Sequence, residues 1–149
     1  MSTYNNIVVA VDGSEEAKFA FEKAVEVAKR NEAKLHLVNI IDTRSFAAIE
    51  AYDRSIQERA KEFAEEKLAE YKAAAEKEGV VAESLIEYGS PKTMITREVS
   101  KKTEADLIVC GATGLNAVER FLIGSVSANI VRSAKCDVLV VRTPGEHAE

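Results

Sequence analysis

Asp106-Leu107-Ile108-Val109-Cys110-Gly111 is an apolar run of strand length that ends on glycine; Gly114 follows after two intervening residues, and nine further residues lead to Gly124-Ser125. From Ser125 to Ala134 the apolar residues Val126, Ile130, Val131 and Ala134 recur at helical spacing. The stretch therefore reads as strand, glycine loop and helix N-terminus. Glycines let the backbone turn and let a ligand approach the main chain closely, while the unpaired N–H groups and the dipole of a helix start favour negative charge. The guest expected there is a phosphate. Taken singly, Gly111 and Gly114 read as ordinary turn residues; it is the spacing to Gly124-Ser125 that favours a ligand.

Working outward, Ile7-Val8-Val9-Ala10-Val11 is an apolar run broken by Asp12-Gly13-Ser14, and Ala17, Ala20, Phe21, Ala24 and Ala28 then mark one face of a helix. Asp12-Gly13-Ser14 serves as a turn and helix cap whether or not Asp12 also meets a ligand. Leu35 to Ile41 reads as a second strand. Ser55 to Lys77 reads as a long charged helix with Ile56, Ala60, Phe63, Ala64, Leu68 and Tyr71 on its buried side. Val81 to Tyr88 is a third strand whose Glu83 and Glu87 suit a sheet edge. Gly89-Ser90-Pro91 supplies an N-cap and a proline for a helix through Met94, Ile95 and Val99. Cys136-Asp137-Val138-Leu139-Val140-Val141 closes the series as a fifth strand, and the residues from 143 to 149 read as a disordered tail around Pro144-Gly145.

Strands alternating with helices predict an α/β fold, a parallel sheet with right-handed crossovers and helices on both faces. Ligands of such sheets sit beyond the strand carboxyl ends, where the strand order reverses. Asp12-Gly13, Ile40 to Asp42 and Gly111 all lie at such ends. The chain of 149 residues fits one domain spanning 1–149, with an ordered core over about 5–142, and at this size folding hides about 70% of the unfolded surface.

The net charge of −5 argues against a general nucleic-acid binder, which needs a basic face to displace counterions. It does not argue against a nucleotide, whose phosphates local backbone dipoles can hold. The two cysteines, Cys110 and Cys136, each adjoin a strand boundary and read as buried thiols, not as a bridge or a metal site. His36 alternates within a strand and reads as a packed or edge histidine. The start of the chain has neither a basic n-region nor a long apolar h-region, and no stretch reaches membrane-spanning length, which predicts a cytoplasmic protein. Between Gly111 and Gly124 the one cation is Arg120, read as a loop charge ahead of a phosphate clamp. The segment from Asp42 to Arg54, with Phe46, Ile49 and Tyr52 three apart, reads as a short packing helix or as a lid over the site.

The set Ala10-Val11-Asp12-Gly13-Ser14, Gly111-x-x-Gly114-x9-Gly124-Ser125 and Cys136-Asp137-Val138-Leu139-Val140-Val141-Arg142 resembles the universal stress protein family, in its nucleotide-binding branch, over essentially the whole span from Ile7 to Arg142. The resemblance implies a five-stranded parallel sheet of order 3-2-1-4-5, Rossmann-like and of the adenine-nucleotide α-hydrolase type. It implies a cytoplasmic stress-response protein that holds ATP or another adenine nucleotide, with or without Mg2+. By position, Ala10, Val11, Asp12 and Ile40 would line adenine and ribose, Gly111 would support the ribose and phosphate end, and Gly114, Gly124, Ser125, Val126 and Ser127 would hold phosphates. It also implies a homodimer through the last strand, Val138, Leu139, Val140, Val141 and Arg142. Two positions depart from the family pattern: Leu115 stands where a basic residue is common, and Asn39 where a histidine is common.

No Walker Gly-x4-Gly-Lys-Ser/Thr sequence occurs, so the lysine that reaches terminal phosphates is missing. The sequence therefore predicts a binder and not an enzyme, with any ATP hydrolysis slow and incidental. The competing readings are a nucleotide-independent homodimeric interaction module and a related α/β hydrolase, whose pyrophosphate loop motif is not visible.

Overall fold

Ile7, Val8 and Val9 can form a strand with no polar side because both of their faces are covered by helices. β1 (Asn6–Ala10) is the central strand of the sheet, and its three middle residues are fully buried. A computed structural model of the chain describes residues 3–42, 54–112 and 125–142. In it β1 leads through α1 (Glu15–Asn31) to β2 (Lys34–Ile41), then through α2 (Arg54–Lys77) to β3 (Ala82–Tyr88). A helical run of three parts follows: α3 (Pro91–Met94), a π-helical stretch (Ile95–Val99) and α4 (Ser100–Thr103). β4 (Leu107–Gly111), α5 (Ser125–Ser133) and β5 (Asp137–Val141) complete the order. Every strand pair is parallel, as the alternation of strands and helices predicted, and the order is β3-β2-β1-β4-β5, as the family resemblance implied.

Alternation along the strands divides the core in two. Ile7, Val9, Leu35, Leu37, Leu107 and Val109 point to the face covered by α1 and α2. Val8, Val38, Ile108 and Cys110 point to the other, covered by Ile95, Val99 and Ile130. At the amino edge the Asp106 carboxylate accepts hydrogen bonds from the successive main-chain N–H groups of Asn5 and Asn6, at 2.8 and 3.0 Å. It fixes the start of β1 against β4. The outermost strand β3 carries the predicted carboxylates, and both are paired: Lys34 lies 2.8 Å from Glu83, and Lys102 bonds Glu87.

The structure corrects three expectations. Phe63 is 58% exposed, with the Lys67 ammonium 5.6 Å from its ring centroid, and Val131 is 49% exposed. Each adjoins the buried stripe of its helix, beside Ala64 and Ile130, and a step of about 100° swings it out of contact with the sheet. Ser90 precedes Pro91 as expected but makes no side-chain cap; its carbonyl instead receives the N–H groups of Thr93 and Met94. The helix it starts then widens, with the Ser100 hydroxyl donating to the Ile95 carbonyl five residues back at 2.9 Å. Cys110 is buried and Cys136 half-buried, and both are free thiols.

Candidate nucleotide site

From β1 the chain moves to β2 and β3 on one side of the sheet, then crosses to β4 and β5 on the other. The order reverses between β1 and β4, so the crevice for a ligand lies past their carboxyl ends. Val9 is level with Val109, and Ala10 with Val38. The register therefore brings Ala10-Val11-Asp12, Ile40 and Gly111 to one edge, as the sequence predicted. Of the remaining expected residues, Val126 and Ser127 lie in the first turn of α5 above the same edge, and Ser125 begins that helix. Gly114 and Gly124, with Leu115 and Arg120, lie outside the described residues, as do 43–53 of the candidate lid and the tail from 143.

The loop after β1 is built by short-range bonds. Gly13 has φ +86°, a left-handed conformation that glycine adopts without strain. The turn lets one Asp12 carboxylate oxygen accept from the Ser14 N–H at 2.9 Å, while the Ser14 hydroxyl caps α1 by accepting from Ala17 N–H at 3.1 Å. Asp12 itself is exposed. The phenol of Tyr71, on α2, is pushed up from its ordinary value by burial and then by the Asp12 charge. Its ring packs against Phe21 in a tilted contact, with centroids 4.7 Å apart and the ring planes at 58°.

Two side chains fasten the edge. Asn39 donates from Nδ2 to the Val11 carbonyl at 2.8 Å, joining β2 to the loop after β1. Ser127, only 6% exposed, donates its hydroxyl to the Gly111 carbonyl, joining α5 to the end of β4. That hydroxyl is engaged within the protein and ties α5 to the strand end. The Cys110 thiol below is pushed up by burial, with the Ser127 hydrogen bond acting the other way. In the sequence Asn39 stands out only as a departure from a family pattern, and its bond to Val11 has no local signal.

A profile of the universal stress protein family matches residues 3–142. The chain belongs to that family. Proteins carrying the universal stress protein name in Staphylococcus haemolyticus and Staphylococcus aureus are 55% and 56% identical to it over 144 residues, which is 96% of this chain and 87% of each relative. Among solved structures, a universal stress protein from Lactobacillus plantarum superposes with a TM-score of 0.86 at 30% identity, over 95% of this chain and 100% of that one. Another universal stress protein, solved in complex with cAMP, matches with a TM-score of 0.67 at 30% identity, over 94% and 98% of the two chains.

This member of the family also carries a groove of about 740 Å3 between the α3–α4 run and α5, lined by Arg97, Lys101, Asn129 and Lys135. Its floor includes Ala105 and Cys136, which precede β4 and β5, so it opens toward the amino edge of the sheet. Lys101 and Lys135 stand at helix carboxyl ends, where their charge complements the helix dipoles. The groove therefore lies apart from the candidate site at the carboxyl edge.

Proposed function

We propose that this chain binds an adenine nucleotide, ATP in the first instance, at the carboxyl edge of the sheet, as a cytoplasmic regulatory protein of the stress response. Ala10, Val11 and Ile40 line the base and ribose. Asp12 accepts from ribose hydroxyls through the carboxylate oxygen that the turn leaves over. Gly111 gives the ligand access to the main chain. Gly114, Gly124, Ser125, Val126 and Ser127 hold the phosphates through N–H groups and the positive end of the α5 dipole. Mg2+ would arrive with those phosphates.

The observation that carries this reading is the register, which sets the β1 loop, Ile40, Gly111 and the first turn of α5 around the point where strand order reverses. The relative solved with cAMP adds support from within the family. The absence of a Walker lysine from the sequence favours binding over turnover. We place the homodimer interface along β5, whose outer edge no described strand pairs.

Mass spectrometry of the denatured, purified protein tests for a carried adenine nucleotide. The residue-level test is Asp12→Ala, titrated with ATP and with its 2′,3′-dideoxy analogue. Affinity for ATP should fall about tenfold or more and affinity for the analogue should hold, the expected scale for one hydrogen bond to a charged group. Equal losses would remove Asp12 from the ribose. Absence of any nucleotide binding would leave the interaction-module reading in its place.

A further inference from the structure

Hydrogen bonding alternates along a parallel strand, and the bonds at the two ends of β2 fix its phase. Lys34 N–H donates to Asn5 and the Val38 carbonyl accepts from Val11, so even-numbered residues of β2 turn their main-chain groups toward β1. Leu35 N–H donates to Val81, and the Ile41 carbonyl accepts from Gly89. Odd-numbered residues thus turn toward β3.

Continuing the ladder by one step would give the Val11 carbonyl to the N–H of Ile40. That step is not taken. The Val11 carbonyl receives the Asn39 side chain at 2.8 Å instead, and among the described residues no main-chain group pairs with Ile40 on its β1 side. Ile40 is then left with a donor and an acceptor facing the crevice, next to a loop that stays tied to the sheet.

We infer that Asn39 is a positioning residue of the nucleotide site: by taking the Val11 carbonyl it releases the main-chain N–H and C=O of Ile40 to read the edge of the nucleobase. The inference rests on the proposed nucleotide function. An apolar residue at 39 would let Val11 recapture the Ile40 N–H, lengthening the sheet by one bond and hiding the donor. A mere loop anchor would affect all ligand parts alike; this arrangement acts on the base alone.

Amide hydrogen exchange of the ligand-free protein, followed by NMR, tests the release directly. After correction for intrinsic rates, Ile40 N–H should exchange at least about tenfold faster than Val38 N–H, which lies inside the ladder. In Asn39→Ala the Ile40 N–H should slow toward Val38. Titration with ATP, 1-deaza-ATP and tripolyphosphate forms the second arm. The wild-type preference for ATP over the 1-deaza analogue, which lacks the base acceptor, should shrink about five- to tenfold in Asn39→Ala, while tripolyphosphate binds both proteins equally.

Ile40 as protected as Val38 in the wild type would overturn the inference, and that measurement needs no variant. Equal loss of all three ligands in folded Asn39→Ala would overturn it as well, reducing Asn39 to a loop anchor. A wild-type protein that binds no adenine nucleotide would refute the functional reading and the base-reading role together, yet the exchange data would still decide which donor holds Val11.

Discussion

Proline placed at two adjacent positions of β5 should give opposite results. The Ala112 N–H donates to the Val141 carbonyl at 2.9 Å, and Val141 is level with Gly111, so odd-numbered residues of β5 face β4. Val138 and Val140 therefore turn their main-chain groups outward, to the side where a second copy would pair. Val140→Pro removes an outward donor and leaves the β4 ladder whole. In a two-fold dimer each protomer loses one bond, and at about 1 kcal/mol per bond the interface weakens by about 2 kcal/mol, or about thirtyfold in dissociation constant. Clash of the ring with the partner strand adds to this. Leu139→Pro removes a donor to β4 and disturbs a side chain packed on the core beneath α1, so it should cost about 2–3 kcal/mol of fold stability. Sedimentation velocity across a dilution series reads the association, and circular dichroism with urea unfolding reads the fold. A folded Val140→Pro protein that dissociates no more readily than the wild type refutes the β5 interface. Equal destabilisation by both prolines refutes the assigned strand phase.

His36 is buried and its Nε2 lies 3.1 Å from the Asn6 side-chain oxygen; burial first, then Lys34, holds its pKa below the ordinary 6.5, with Glu83 opposing. A depressed histidine contributes stability that is present above the unfolded value and lost as pH falls through the folded one. The unfolding free energy of wild type should therefore decline below about pH 6.5 more steeply than that of His36→Gln, and parallel urea-derived profiles would refute this. Ser127→Ala removes the buried hydroxyl that ties α5 to Gly111 and should cost about 1–2 kcal/mol in urea unfolding; an unchanged midpoint and slope would show that the bond holds nothing.

The strands themselves were legible because their signals are local or compositional, whereas their order in the sheet came from the family resemblance. Uninterrupted apolar runs such as Ile7 to Val11 and Leu107 to Cys110 can only be two-sided strands, and the carboxylates at Glu83 and Glu87 point one strand to the edge. Helix faces were legible in their centres and not at their margins. Phe63 and Val131 are apolar like their buried neighbours, and which of two adjacent residues touches the sheet depends on the helix's rotation, which periodicity fixes only to within about one residue. The π-helical widening at Ile95–Val99 left no mark in the pattern, since Ile95 and Val99 remain four apart and both buried.

The site divides along the same line. Strand ends were enough to locate the edge, because a turn after an apolar run is a short-range event, whereas the Gly114 and Gly124 of the glycine spacing lie outside the described residues. The bonds that shape that edge are long-range: Asn39 reaches Val11 across 28 positions, and Ser127 reaches Gly111 across 16. Asn39 is moreover an exception to the strand's own logic, a polar side chain that replaces a main-chain donor at the single step where the β1–β2 ladder would otherwise continue. The effect depends on the ladder phase set by Asn5 and Lys34 at the far end of the sheet. A shift of register by one residue would turn the main-chain groups of Ile40 toward β3 and close the crevice wall. The Asp106 carboxylate, gripping Asn5 and Asn6 at the amino edge, helps to hold β1 in place. It thereby bears on which groups face the crevice at the opposite edge, although it lies the length of a strand away.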